Sequence, residues 1–209
     1  MTDLYQLVVA QRLALSDTLD TLSEPQWNTA SLCSGWTARD VLSHLTLPAT
    51  ASKVKVFVAF AKSGFNLDKM TMAMVRADTQ TGPELAAKFR ATAQHRWTPP
   101  TFGFEAPLTD AVAHGSDICR PLGLTNTVSP EAARAVLDFL VTKKATNGFI
   151  PKDRVLGFRF ETTDLNWGFG SGPLVSGPAE AIILAILGRD AAFQDLTGDG
   201  VATLQARNR

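Results

Sequence analysis

The chain has 209 residues, 45% of them hydrophobic, with 20 acidic and 20 basic side chains, so it can bury a sizeable core and carries no net charge. That balance builds in no attraction to nucleic acid or to an anionic membrane, and no apolar run reaches spanning length. Neither partner is therefore expected. The opening Met1-Thr2-Asp3-Leu4-Tyr5 lacks the basic run, apolar core and cleavage site of a signal peptide, which predicts a cytoplasmic protein.

Apolar residues at Leu4, Leu7, Val8, Leu15, Leu19 and Leu22 follow helical spacing and predict a first helix ending before Glu24-Pro25. Ser34-Gly35-Trp36 reads as a turn. Thr37, followed three residues later by Asp40, resembles a capping box and predicts a second helix starting at Thr37. If Pro48 only kinks it, that helix continues through Val54, Val56 and Phe57 toward Lys62. Residues 65–78, with Met70, Met72 and Met74, show no single period and read as adaptable filler or pocket lining. Thr81-Gly82-Pro83-Glu84 opens a third helix, expected to reach about Trp97, with His95 as a packing or surface residue.

Pro107 and Leu108 open a fourth helix, which Arg120-Pro121-Leu122-Gly123 ends. Ser129-Pro130-Glu131 then caps a fifth, expected to run to Asn147-Gly148. After Pro151 the pattern changes to a period of two from Arg154 to Thr162, the mark of a strand with one buried face. Short strands are expected at 165–169 and 174–175, an apolar helix after Gly177-Pro178, and a hairpin at Thr197-Gly198-Asp199-Gly200 leading into a last strand from Val201 to Leu204. The predicted class is therefore α+β, with a four-helix bundle over residues 1–150 and a small α/β domain over 151–209.

The candidate site starts from Asp110 and His114, one helical turn apart on the fourth helix and hence on one face. His44, on the second helix, is the best third ligand. Two imidazoles and one carboxylate leave part of a coordination sphere open, as catalytic zinc sites do. Asp117, three residues beyond His114, is placed to accept the imidazole's other proton and fix the ligating tautomer. Cys33 and Cys119 have no metal-binding spacing and read as small buried side chains, so sulfur chemistry would need a thiol from outside. Arg189, after Gly188 at a helix end, is the candidate for orienting a carboxylate substrate through a two-pronged hydrogen bond. An ordinary salt bridge is its alternative.

The run Cys33-Ser34-Gly35-Trp36-Thr37-Ala38-Arg39-Asp40-Val41-Leu42-Ser43-His44-Leu45 resembles the signature of the mycothiol-dependent maleylpyruvate isomerase family, within the DinB-like metal-binding bundle superfamily. His114-Gly115-Ser116-Asp117-Ile118 is similar to that family's second metal motif. Asp164-Leu165-Asn166-Trp167, Gly177-Pro178-Ala179-Glu180 and Gly188-Arg189 resemble its small C-terminal domain. The resemblance implies a DinB-like bundle, a divalent metal, usually zinc, on His44, Asp110 and His114, and mycothiol or a similar thiol as cosubstrate. The isomerase itself has glutamate where this chain has Asp110. A thiolate held at the ion could add to a cis double bond and be eliminated as the trans product, or displace a leaving group as an S-transferase does. A thiol-independent zinc hydrolase and a non-catalytic metal- and ligand-binding protein remain the alternatives.

Overall fold

The computed structural model describes residues 3–208 and shows a mainly helical protein with one small sheet. In chain order the helices are α1 (Leu4–Leu19), α2 (Glu24–Trp27), α3 (Ala38–Thr50), α4 (Lys53–Lys62), α5 (Leu67–Ala77), α6 (Gly82–Ala91), α7 (Glu105–Cys119), α8 (Pro130–Leu140) and α9 (Lys143–Thr146). There follow the strands β1 (Arg159–Thr162), β2 (Gly168–Gly170) and β3 (Leu174–Gly177), then α10 (Ala179–Ile186) and α11 (Val201–Ala206). Among the described residues no helix is long and apolar enough to cross a membrane.

The chain divides into two compact units. One comprises Val8–Trp97 and His114–Thr127; the other comprises the chain up to Leu7, Thr98–Ala113 and the chain from Val128 onward. α1 and α7 contribute to both.

In the Val8–Trp97 unit, Leu15, Leu19, Trp27, Val41, Leu42, Leu85, Phe89 and Ile118 form one buried core. α3 is set by its caps: Thr37 Oγ1 accepts from the Asp40 amide, and Asp40 Oδ2 accepts from the Thr37 amide at 3.0 Å, the reciprocal box expected from the sequence. The helix passes through Pro48 and stops at Thr50. Ser52 then caps α4 by accepting from the Lys55 amide at 3.2 Å, so the break comes from a competing N-cap and not from the proline. Residues 67–77, unperiodic in the sequence reading, are helical as α5, with Asn66 as N-cap accepting from the Lys69 amide at 2.8 Å. α6 ends at Ala91, short of Trp97. Beyond it, Arg12 donates to the carbonyls of Ala93 (3.2 Å) and His95 (3.0 Å), holding a non-helical turn.

In the other unit the sheet has the order β2-β1-β3, with β1 antiparallel to β2 and parallel to β3. The strand expected from Arg154 begins only at Arg159, because 152–154 form a 3-10 turn and Gly157 adopts φ +87°. α10 is buried apart from the half-buried Glu180 and packs on β1, β3 and α8. Trp167 Nε1 donates to Asp138 Oδ1 on α8 at 2.7 Å. The fifth predicted helix is two, α8 and α9, since Thr142 caps α9 by accepting from the Ala145 amide. The expected last strand at 201–204 is helix α11. The Gly198 turn folds back so that Thr197 bridges Ser176 and Asp199 Oδ1 accepts from the Leu174 amide at 2.6 Å, which joins this turn to β3 without a further strand.

Two measurements check these packing arguments. A Cβ on Gly82 would lie 2.1 Å from the ring of buried Trp27, so Gly82→Ala should destabilise the fold by about 1–3 kcal/mol in denaturant titration. Asp78 joins the end of α5 to α3. Burial works to raise its pKa, but hydrogen bonds from Gln80 and Ser43 (2.7 Å) and the charge of Arg39 bring it below the ordinary value. A carboxylate with a lowered pKa stabilises the fold above the unfolded-state value and loses that contribution as pH falls through the folded-state value. Asp78→Asn should therefore flatten the fall in melting temperature below about pH 4, where the wild type loses this interaction.

Candidate metal and thiol site

The residues in question hang on two supports. The first is the turn Cys33-Ser34-Gly35-Trp36, closed by the Trp36 amide donating to the Cys33 carbonyl at 3.1 Å. Gly35 at φ +76° supplies the left-handed residue it needs. Ser31 Oγ accepts from the Cys33 amide at 3.1 Å and donates to the Trp36 carbonyl at 2.9 Å, so the turn enters the Thr37 cap in a fixed direction. The second support is α7, and the two are joined where the Leu32 amide donates to the Asp117 carbonyl at 3.1 Å.

At the C-terminal part of α7, the fully buried Asp117 accepts from His114 Nδ1 at 2.9 Å and from Cys33 Sγ at 3.0 Å, both on Oδ2. A carboxylate only accepts, so the shared proton sits on Nδ1, and Nε2 is the nitrogen His114 can offer to a metal ion that displaces its own proton. Burial alone would push the imidazole pKa down. The hydrogen bonds to Asp117 and Cys33 and the adjacent Asp117 charge outweigh it and raise the pKa to about 10.

His44, one turn past Asp40 on α3, brings its ring to 5.0 Å from that of His114, centroid to centroid, at 81°. The Trp36 ring also packs on His44, with ring centroids 5.5 Å apart, and Trp36 Nε1 donates to Met72 Sδ on α5 at 3.3 Å. The structure thus brings together His44 and His114. Asp110 lies on α7 one turn before His114 and is half-buried. Arg189 belongs to the other unit, where its Nη1 donates to the Leu187 carbonyl at 2.8 Å.

Sequence reasoning assigned no part here to Cys33, which meets Asp117 across 84 positions of chain. Cys33, His114 and Asp117 offer three ligand atoms within 4.8 Å of one another, a set capable of holding a metal ion. Ligands on one tetrahedral zinc, at bond lengths of 2.0–2.3 Å, stand roughly 3.3–3.7 Å apart. The Cys33 Sγ to His114 Nδ1 separation of 3.7 Å fits that, whereas the 2.9 and 3.0 Å separations at Asp117 are those of hydrogen bonds. As placed, Asp117 hydrogen-bonds both Cys33 and His114 and so orients the His114 ring.

Comparison with known proteins agrees with the sequence motifs. Residues 8–98 match the family model described as the mycothiol maleylpyruvate isomerase N-terminal domain. No curated protein matches the chain. Among solved structures, the mycothiol-dependent maleylpyruvate isomerase superposes with a TM-score of 0.58 at 15% identity, covering 94% of this chain and 91% of that one. A histidine-to-alanine mutant of such an isomerase gives 0.59 with the same identity and coverage. The chain has the fold of these isomerases, and its segment 8–98 is similar to the mycothiol maleylpyruvate isomerase N-terminal domain.

Proposed function

We propose that the protein is a metal-dependent enzyme in which His44, Asp110 and His114 hold a divalent ion, zinc in the first instance. Its cosubstrate is a low-molecular-weight thiol such as mycothiol, used for cis-trans isomerisation of a small acidic substrate or for S-transfer. The observation that carries this reading is the approach of the His44 and His114 rings while Asp117 engages His114 Nδ1. Two imidazoles and a carboxylate, with a second-layer acid on one imidazole, suit such an ion and leave a coordination position open. The same donor types also suit ferrous iron. When bound, the ion allows an external thiol to exist as thiolate near neutral pH.

The chain's own residues supply positioning. Asp117 keeps the proton on Nδ1, so Nε2 of His114 is the ligating nitrogen. Trp36, held by Met72, forms an apolar wall against His44 and excludes water from that side. In the isomerase form of the reaction, the external thiolate adds to an activated cis double bond, its charge passes to the conjugated carbonyl as an enolate, the resulting single bond rotates, and the enolate expels the thiolate to leave the trans product. Arg189 enters the proposal as the group that orients a substrate carboxylate, because a guanidinium meets it with two parallel hydrogen bonds.

The test combines metal analysis with thiol titration and turnover. Wild type should carry a stoichiometric divalent ion and bind thiol only when loaded; His44→Ala should weaken metal binding at least tenfold and abolish thiol binding. Thiol binding that survives removal of the metal would overturn the reading, and turnover without any thiol would point to a hydrolase. Arg189→Lys should lower turnover of a carboxylate substrate at least tenfold without moving the melting temperature; unchanged turnover removes Arg189 from the site. Separately, Asp117→Asn should weaken metal affinity by about 10–100-fold, read by competition with a chelating dye.

A further inference from the structure

The overall neutrality of the chain conceals a local excess. Of the eight large hydrophobic side chains that are exposed among the described residues, five lie between 54 and 67: Val54, Phe57, Val58, Phe65 and Leu67. Phe57 is 69% exposed and Val54 73%, values that decide against reading them as the rim of the core. Within α4, Val54, Phe57, Val58 and Ala61 follow i, i+3, i+4, i+7 spacing and form one outward stripe, while Val56, Ala59 and Phe60 on the inner side are half-buried. α4 therefore has two apolar faces, and only the inner one is packed. The turn into α5 adds Phe65, at φ +60°, and Leu67.

Charge says what fits the outer stripe. Lys55 and Lys62, seven residues apart, run along one border of it, roughly 90° around the helix from its centre. Over residues 54–77 four exposed basic side chains, Lys55, Lys62, Lys69 and Arg76, stand against one acid, Asp68, a net of +3 in a chain whose total is zero. A second copy docking through the same stripe about a two-fold axis would place that positive segment against itself. An apolar stripe bordered by lysines instead matches an anionic lipid surface, with aromatic rings entering the headgroup boundary and the lysine stems reaching outward. We propose that the α4–α5 hairpin is a peripheral docking surface for anionic membrane lipid, bound reversibly and without insertion of a spanning helix.

Co-sedimentation of the full chain with lipid vesicles tests this. Wild type should pellet with vesicles of equal parts phosphatidylglycerol and phosphatidylcholine at low salt. Binding should fall at least tenfold with phosphatidylcholine alone, and salt of about 0.5 M should release the protein. Phe57→Ser should weaken binding about tenfold or more, and Lys55→Glu with Lys62→Glu should abolish it. Both variants change exposed side chains, so an unchanged melting temperature separates lost binding from lost fold; if one is unstable, the other carries the decision. No pelleting with anionic vesicles, or equal pelleting of wild type and both variants, overturns the proposal. So does concentration-dependent dimerisation in the absence of vesicles that Phe57→Ser removes, which would make the stripe a contact between copies.

Discussion

The buried carboxylate of Asp117 is the constraint on which the candidate site depends. A fully buried acid is costly unless it is paired and hydrogen-bonded, and one oxygen here meets both a protonated imidazole nitrogen and a thiol. Those partners come from different parts of the chain. The Leu32 amide also donates to the Asp117 backbone, so α7 and the Cys33 turn are held by backbone and side chain at once. From that turn the chain runs directly into the Thr37 cap and α3, which places His44 two turns later. The position of the His44 ring relative to His114 is thus inherited from a short sequence of fixed connections.

A second clamp ties α3 to the segment after α5. Arg39 donates through Nε to the Gln80 carbonyl at 2.8 Å and through Nη2 to the Asp78 carbonyl, while Ser43, next to His44, donates to the Asp78 carboxylate. Charge-assisted bonds to backbone carbonyls restrain the rotation of a helix about its axis more firmly than apolar contact does. An imidazole meant to share a ligand with another needs that restraint, because ring orientation decides which nitrogen it presents.

What could be read from the sequence follows the range of the interactions involved. The Thr37–Asp40 box, the one-turn spacing of Asp110 and His114, and the service of Asp117 to His114 all lie within four residues and depend on helix geometry alone. α5 was read as unperiodic although Leu67, Met70, Met74 and Ala77 keep three- and four-residue spacing, and its Asn66 cap went unread. The 201–206 segment was misread because Gly198-Asp199-Gly200 has hairpin chemistry; its Asp199 instead bonds to the distant Leu174 amide, leaving the next residues free to form a helix. Cys33 was read as filler for the same reason in sharper form: its partner is 84 positions away, and no local pattern announces it.

The aspartate at 110 bears on the proposed ligand set in a way that follows from the same rigidity. Its arm is one methylene shorter than a glutamate's, a loss of reach of about 1.5 Å. If Asp110 belongs to the ligand set, its shorter arm would have to be met elsewhere, since helix spacing fixes Asp110 relative to His114 and Asp117 holds the His114 ring. The remaining freedom belongs to His44, whose ring packs against Trp36 and His114. The Trp36 backbone is fixed by the Cys33 turn and its ring packs on the core, while its indole Nε1 donates to Met72, a flexible side chain on α5. The space beside the His44 ring is therefore bounded by the Asp117-held ring of His114 and by an indole whose Nε1 rests on an adaptable thioether.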